Sequence, residues 1–299
     1  MSGITFSLIT AVSWTFTSLF FAWVSKRIGS LSLNLLRLLL GLSMLSVFGL
    51  VSTGDLLPYG ASPREWIYLG ISGLFGFVLG DYFLFKSYEL ISVRIALLMV
   101  SLSPIMTGLL GFILWKERLS FLSFFAILLV LLGISLVIIT KTPDPSKQVG
   151  LKFRVSPKGL LYAFIGAFGQ SLGSITSKLG TTDFSPLKGA QMRMMFAILA
   201  YSIIFTSLKF WPTFLRKIKN KEVLFMTSCG AFFGPFIGAT SSLYALKLTN
   251  TAIATTLMNL RPVLILPFSR YIYKERLMTS EILGALLAIL GTGILLIVK

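Results

Sequence analysis

The sequence predicts an all-α integral membrane protein of ten transmembrane helices, built as two inverted five-helix repeats. Composition is the first reason: 55% of the residues are hydrophobic and only 12% charged, with a mean hydropathy of +0.88, outside the range of soluble domains. The second is length. Crossing a hydrocarbon core of roughly 30 Å takes about 20 apolar residues, and ten such runs follow one another, at about 3–24, 31–52, 66–86, 92–115, 119–140, 158–179, 187–208, 223–246, 251–273 and 279–298. The third is a duplication. Residues 92–141 and 250–299 align without a gap at an offset of 158 and agree at 14 of 50 positions, including Pro104 with Pro262, the turn Lys116-Glu117-Arg118-Leu119 with Lys274-Glu275-Arg276-Leu277, and Gly133 with Gly291. Five spans per repeat is an odd number, so the second half enters the membrane in the opposite sense to the first.

The expected units are a first repeat at 1–141, a linker at 142–157 rich in lysine and proline, and a second repeat at 158–299. Span 1 has no Lys or Arg before it and no small-residue cleavage pattern after it, so it is expected to be a retained helix and not a signal peptide. A lone cysteine, Cys229, excludes an internal disulfide, and the lack of histidine removes the commonest metal ligand and proton shuttle. No metal and no cofactor are expected. The net charge of +17 resides in short loops at helix ends, where it reads as topology signalling and contact with anionic lipid, not as a nucleic-acid surface.

Span 1 carries Ser13, Trp14, Thr17 and Ser18, and span 6 carries Gln170, Ser171, Ser174 and Ser177. Polar side chains at membrane depth need protein or water partners, so these faces point inward; helix packing accounts for the serines, whereas Trp14 and Gln170 are better pocket candidates. Spans 2 and 7 hold Arg37 and Arg193 in their second turns, near enough to a helix end to snorkel to the interface, so they are read as structural charges in preference to a ligand role. Span 3 (Gly70, Gly73, Gly76, Gly80) and span 8 (Gly230, Gly234, Gly238) are expected to cross each other closely. Spans 4 and 9 contain Pro104 and Pro262, which cannot donate to the carbonyls of Val100 and Met258; kinks are expected there, with Ser101, Ser103, Asn259 and Arg261 around them. Spans 5 and 10 are nearly free of polar residues and fit lipid-facing or dimer-facing positions. Glu117 and Glu275, in the turns before them, are read as structural carboxylates at helix N-termini.

Asp81, followed by Tyr82, is the carboxylate clearly inside a span, and Arg261 lies near the middle of span 9, where the first repeat has Ser103. An arginine at helix centre costs roughly 2.5 to 3.5 kcal/mol on the lenient insertion scale, so something must offset it. The two residues approach from the same membrane side with an axial gap of about 10 Å. Two readings follow: a structural ion pair, or a split site in which Arg261 takes an anionic group and Asp81 an ammonium group or a coupling proton.

Two five-helix halves, each with an Arg early in its second helix (Arg37, Arg193), a Gly-rich third helix, a Pro in its fourth (Pro104, Pro262) and a Glu in the turn before its fifth (Glu117, Glu275), resemble the ten-helix EamA branch of the drug/metabolite transporter superfamily over nearly the whole chain. The resemblance implies a carrier or exporter of small metabolites, often amino acids, without a cofactor. The expected setting is the plasma (inner) membrane, as monomer or homodimer, and with no histidine in the chain Asp81 is the residue to carry a coupling proton. The resemblance also implies a central cavity lined by spans 1 to 4 and 6 to 9, with spans 5 and 10 peripheral. Members usually keep both termini in the cytoplasm. Loop charge argues the reverse: loops 2/3, 4/5, 6/7 and 8/9 with the C-terminus hold 7 Lys/Arg, the other loops 17, and the richer side is cytoplasmic by the positive-inside rule.

Against a transporter stand a channel, a membrane enzyme and a scaffold. An enzyme would want acids, His or Cys clustered at one face, and the ten acids are scattered with no histidine among them. A scaffold would need more extramembrane surface than these loops supply. A channel differs from a carrier chiefly in mechanism, and broken helices in inverted repeats favour alternating access.

Overall fold

The computed structural model describes residues 2–91, 93–115, 120–139, 156–264 and 279–297, and every regular element among them is a helix. The expectations for Glu117 and Glu275, and for the linker, fall outside these residues. Four helical runs are long and apolar enough to cross a membrane by length and composition: Gly3–Thr53, Pro63–Leu90, Pro186–Ser207 and Lys221–Leu248. The first is two helices. Gly29, at φ 80°, separates span 1 (Gly3–Ile28) from span 2 (Ser30–Thr53), a backbone conformation that glycine adopts without steric cost.

Local sequence sets the helix starts. Span 3 (Pro63–Leu90) begins with a capping box between Ser62 and Glu65 and Pro63 in its first turn. Span 6 (Pro157–Thr181) and span 7 (Pro186–Ser207) also begin with proline. The side chains of Asn220 and Asn250 accept backbone N–H groups at the starts of span 8 (Lys221–Leu248) and span 9. Between spans 7 and 8 lies a short helix, Trp211–Ile218, that seats Phe214 in the core and ends in Arg216 and Lys217.

Four spans are irregular inside. Spans 3 and 8 each contain one π-helical stretch, Leu74–Gly80 and Phe232–Gly238. Span 4 stops at Val100 and restarts at Ser103–Trp115, and span 9 stops at Met258 and restarts at Arg261. Pro104 and Pro262 are therefore second residues of new segments, where a missing N–H leaves nothing unpaired. The sequence led us to expect mid-helix kinks with orphaned carbonyls; the chain interrupts the helix one turn earlier instead.

The halves pack reciprocally. Span 1 lies on span 8 and span 6 lies on span 3, while spans 2 and 7, 4 and 9, and 5 and 10 pack on one another. The expected crossing of spans 3 and 8 is thus corrected: their glycines serve different partners. A β-carbon on Gly173 would sit 2.8 Å from the Gly76 Cα and one on Gly169 2.7 Å from the Gly80 nitrogen, so spans 3 and 6 meet backbone to backbone. On span 8, β-carbons at Gly230, Gly234 and Gly238 would strike Phe21, Thr17 and Trp14 of span 1. A small-residue stripe says that something approaches closely, not what. Spans 5 (Phe121–Ile139) and 10 (Thr279–Ile297) form a peripheral pair whose outer faces expose Phe121, Phe125, Leu132, Ile289 and Leu290.

Candidate functional site

Where the two halves meet, spans 1, 2 and 3 of the first and 6, 7, 8 and 9 of the second enclose a cavity of about 50 Å³, room for a few water molecules. Among the described residues span 4 does not line it, contrary to what the resemblance implied. Its polar groups are engaged elsewhere: Ser103 Oγ lies 2.9 Å from Ser171 Oγ on span 6, and Thr107 Oγ1 2.8 Å from Thr255 Oγ1 on span 9.

The polar centre is built from span 3. Its π-helical stretch ends at Gly80, and the Asp81 N–H bonds back to the Gly76 carbonyl. The Asp81 carboxylate accepts from Arg37 Nη2 at 2.5 Å through one oxygen and from the amide of Gln170 through the other. Arg37 Nε donates to Asn34 Oδ1 at 2.9 Å, and its guanidinium packs among the rings of Phe21, Phe77 and Phe85. These contacts explain why Arg37, only 4% exposed, does not snorkel as expected. A carboxylate and three aromatic faces inside the protein offset the loss of water better than a long reach to the interface.

Arg193, the counterpart of Arg37 in the second half, is likewise buried at 6% exposure and lies 4.6 Å over the Phe77 ring. Among the described residues its side chain makes no hydrogen bond, and its Nε is buried without a partner. Arg261 is 7% exposed; its Nη2 donates to Asn259 Oδ1 at 3.2 Å, its guanidinium lies 5.0 Å from the Trp14 ring, and its Nε too has no partner. The expected direct pairing of Asp81 with Arg261 is not formed. Both line the cavity, yet the carboxylate is taken by Arg37 and Gln170, which reach it from adjacent helices.

Of the other candidates, Trp14 and Gln170 face the cavity. Asn259 bonds Arg261 and, through Nδ2, the Thr255 carbonyl at 2.8 Å. Ser101 is bound to the Leu97 carbonyl at 3.0 Å and borders a separate groove with Leu131 and Ser135. Tyr82 packs edge-on against Phe83, away from the cavity. Sequence reasoning missed Tyr88 as a lining residue and ranked a ligand role for Arg37 and Arg193, which also line the cavity, second to a structural one. The repetition of an arginine at one place in both halves was the available signal.

The second half supports its wall differently. Pro235 interrupts the π-helical stretch of span 8 and cannot donate to the Gly230 carbonyl five residues earlier; Thr17 of span 1 supplies that hydrogen at 3.2 Å. In the first half Tyr201 of span 7 donates to the Phe77 carbonyl at 3.0 Å. Each irregular turn is therefore satisfied by a hydroxyl from the opposite half.

The comparisons with known proteins agree with this architecture. A solved crystal structure is similar over 97% of this chain and 96% of its own, with a TM-score of 0.71 at 18% identity, which establishes the fold. No curated protein matches. The sequence model of the EamA-like transporter family matches residues 1–139 and 157–297, nearly the whole chain in two parts. This chain is an integral membrane protein of the drug/metabolite transporter type and belongs to the EamA-like transporter family.

Proposed function

We propose that the chain is a secondary carrier, working as an exporter in the plasma membrane, that moves a small organic metabolite by alternating access. Its units would be the repeats 1–141 and 158–299, inverted about the cavity and joined by the linker 142–157. The observation that carries this reading is a charged cavity at the junction of the halves, with Trp14, Arg37 and Asp81 contributed by one and Gln170, Arg193 and Arg261 by the other. Charges at membrane depth are costly and mark substrate or ion pathways. Helical interruptions at 101–102 and 259–260 in equivalent spans give each half a place to bend. At about 50 Å³ the cavity is too small for a metabolite, so rocking of one half against the other would have to enlarge it.

Asp81 is the carboxylate lining the cavity. In the absence of histidine it is the group we assign to proton coupling, releasing Arg37 when protonated. Flux into proteoliposomes tests the scheme. Saturable uptake that follows an imposed gradient supports a carrier, and Asp81→Asn should remove dependence on a pH gradient. Unsaturable conductance instead would identify the channel alternative.

A further inference from the structure

We propose that the transported solute is a small organic acid carried as its carboxylate anion, held by Arg193 and Arg261 against an aromatic wall. The inference deepens the carrier reading and rests on the same cavity. Among the described residues three guanidinium groups line that space against one carboxylate, leaving a surplus of two positive charges. One pair is internally satisfied: Arg37 is bonded to Asp81, and the second Asp81 oxygen is occupied by Gln170.

The surplus therefore resides on Arg193 and Arg261. Both are more than nine-tenths buried, and the Nε of each lies buried without an acceptor. Arg193 has no hydrogen-bond acceptor among the described residues, and Arg261 has the single oxygen of Asn259 at 3.2 Å. Phe77 and Trp14 lie beneath the two guanidinium planes, which eases desolvation but puts no lone pair in the plane of the N–H groups. A carboxylate does, two at a time.

The same count argues against a zwitterion. An amino acid would find donors for its carboxylate, but its ammonium group would meet a carboxylate whose charge Arg37 already balances, in a cavity that carries a surplus of positive charge. Leu84, Phe85, Leu246 and Met258 beside Trp14 and Phe77 give the wall an apolar face that suits a hydrocarbon body, and the hydroxyls of Thr17, Ser18, Tyr88, Ser174, Ser177 and Ser242 offer partners for a further oxygen such as an oxo group. The site is thus matched to a carboxylate with an apolar tail and no amino group.

The test uses the purified full-length chain in detergent and reads ligand-dependent thermal stabilisation. The probes are 4-methyl-2-oxopentanoate and phenylpyruvate, their matched amino acids leucine and phenylalanine, and inorganic phosphate. The oxo acids should raise the unfolding temperature at concentrations where the amino acids and phosphate do not. Arg193→Gln and Arg261→Gln should each weaken the apparent affinity at least tenfold. Arg193→Lys and Arg261→Lys keep the charge but lose the planar fork, so they should weaken it by a smaller factor of about three to ten; they decide the matter if the glutamine variants fail to fold. The inference is overturned by equal stabilisation from an oxo acid and its amino acid, by phosphate acting as well as the oxo acids, by no response to either oxo acid, or by unchanged affinity in the folded variants. Stabilisation by the oxo acids without any flux in proteoliposomes would overturn transport of the acid together with the carrier reading and leave only its binding at Arg193 and Arg261.

Discussion

Replacing Asp81 with asparagine isolates the energetics of the buried pair. The Arg37 Nη2 to Asp81 contact is 2.5 Å and the two residues are 4% and 8% exposed. Charge centres about 4 Å apart at an effective dielectric near 20 attract by about 4 kcal/mol. Removing one partner strands the other, and measured losses of this kind run at about 3 to 5 kcal/mol. Asparagine keeps one acceptor for Arg37, and Gln170 can turn its amide to accept from the new NH₂, so hydrogen bonds are largely conserved and the loss is mainly of charge. We expect Asp81→Asn to cost about 3 kcal/mol in unfolding from detergent or bicelles by a denaturing surfactant. Arg37→Gln should cost about as much, and the double variant should recover about 2 kcal/mol relative to additivity, because a neutral amide pair replaces a stranded ion. Additive single effects, or an Asp81→Asn cost below about 0.5 kcal/mol, would refute the claim that Arg37 is held in the core by this carboxylate. The swap Arg37→Asp with Asp81→Arg should then restore stability, whereas Asp81→Arg with Arg261→Asp should not.

Three further predictions rest on packing and topology. Gly169→Ala places its β-carbon 2.7 Å from the Gly80 nitrogen, with backbone on both sides, and should cost about 1 to 3 kcal/mol in the same unfolding assay; a neutral effect would mean that spans 3 and 6 are not in backbone contact. Thr17→Val removes the donor to the Gly230 carbonyl and should cost about 1 to 3 kcal/mol, and Pro235→Ala, by restoring a backbone N–H, should recover much of it. An unrescued double variant would show that Thr17 acts through packing alone. If loop charge sets orientation, a cysteine at Asn220 in a Cys229→Ser background should resist an impermeant thiol reagent in intact cells while one at Ser62 reacts; the opposite pattern would assign both termini to the cytoplasm.

Much of this arrangement was legible in the chain because hydropathy and duplication are one-dimensional signals. The apolar runs, the repeated prolines and the inward polar faces of spans 1 and 6 all follow from residue type and spacing. Partner choice does not. The glycines of span 3 announced a close approach, yet a stripe of small residues reads the same whether span 8 lies against it or, as here, span 7 at Gly70 and Gly73 and span 6 at Gly80. Arg37 looked able to snorkel because distance to the helix end is visible in sequence, whereas Asp81, which holds it inside, is 44 residues away on another helix. The π-helical stretches were invisible for a related reason: Phe77 in span 3 carries no proline to betray one, and the hydroxyl that satisfies it belongs to Tyr201 of the other half.

The tight turns between the first two helices of each half show how duplication leaves room for divergence. In the first half the Ser30 N–H opens span 2 and donates to Glu89 Oε1 at 2.7 Å, while the Ile28 carbonyl accepts from Lys217 of the short helix at 2.7 Å. In the second half Pro186 stands at the start of span 7, where there is no N–H to donate. The N–H that Glu89 caps has no counterpart there, and at the position equivalent to Glu89 the chain carries Lys247, which donates to the Phe184 carbonyl at 3.0 Å. A donor and an acceptor have thus exchanged places between copies because one backbone hydrogen was lost, and the span ends are fastened in both. The arginines of the cavity diverged in the same manner. Arg37 has a carboxylate partner within its own half, whereas Arg193, in the same place, faces the cavity without one among the described residues, so the two copies supply a closed ion pair and an open cation. A symmetric pair of closed ion pairs would hold the helices together equally well; the asymmetry leaves at the cavity the cation on which the proposed anion site rests.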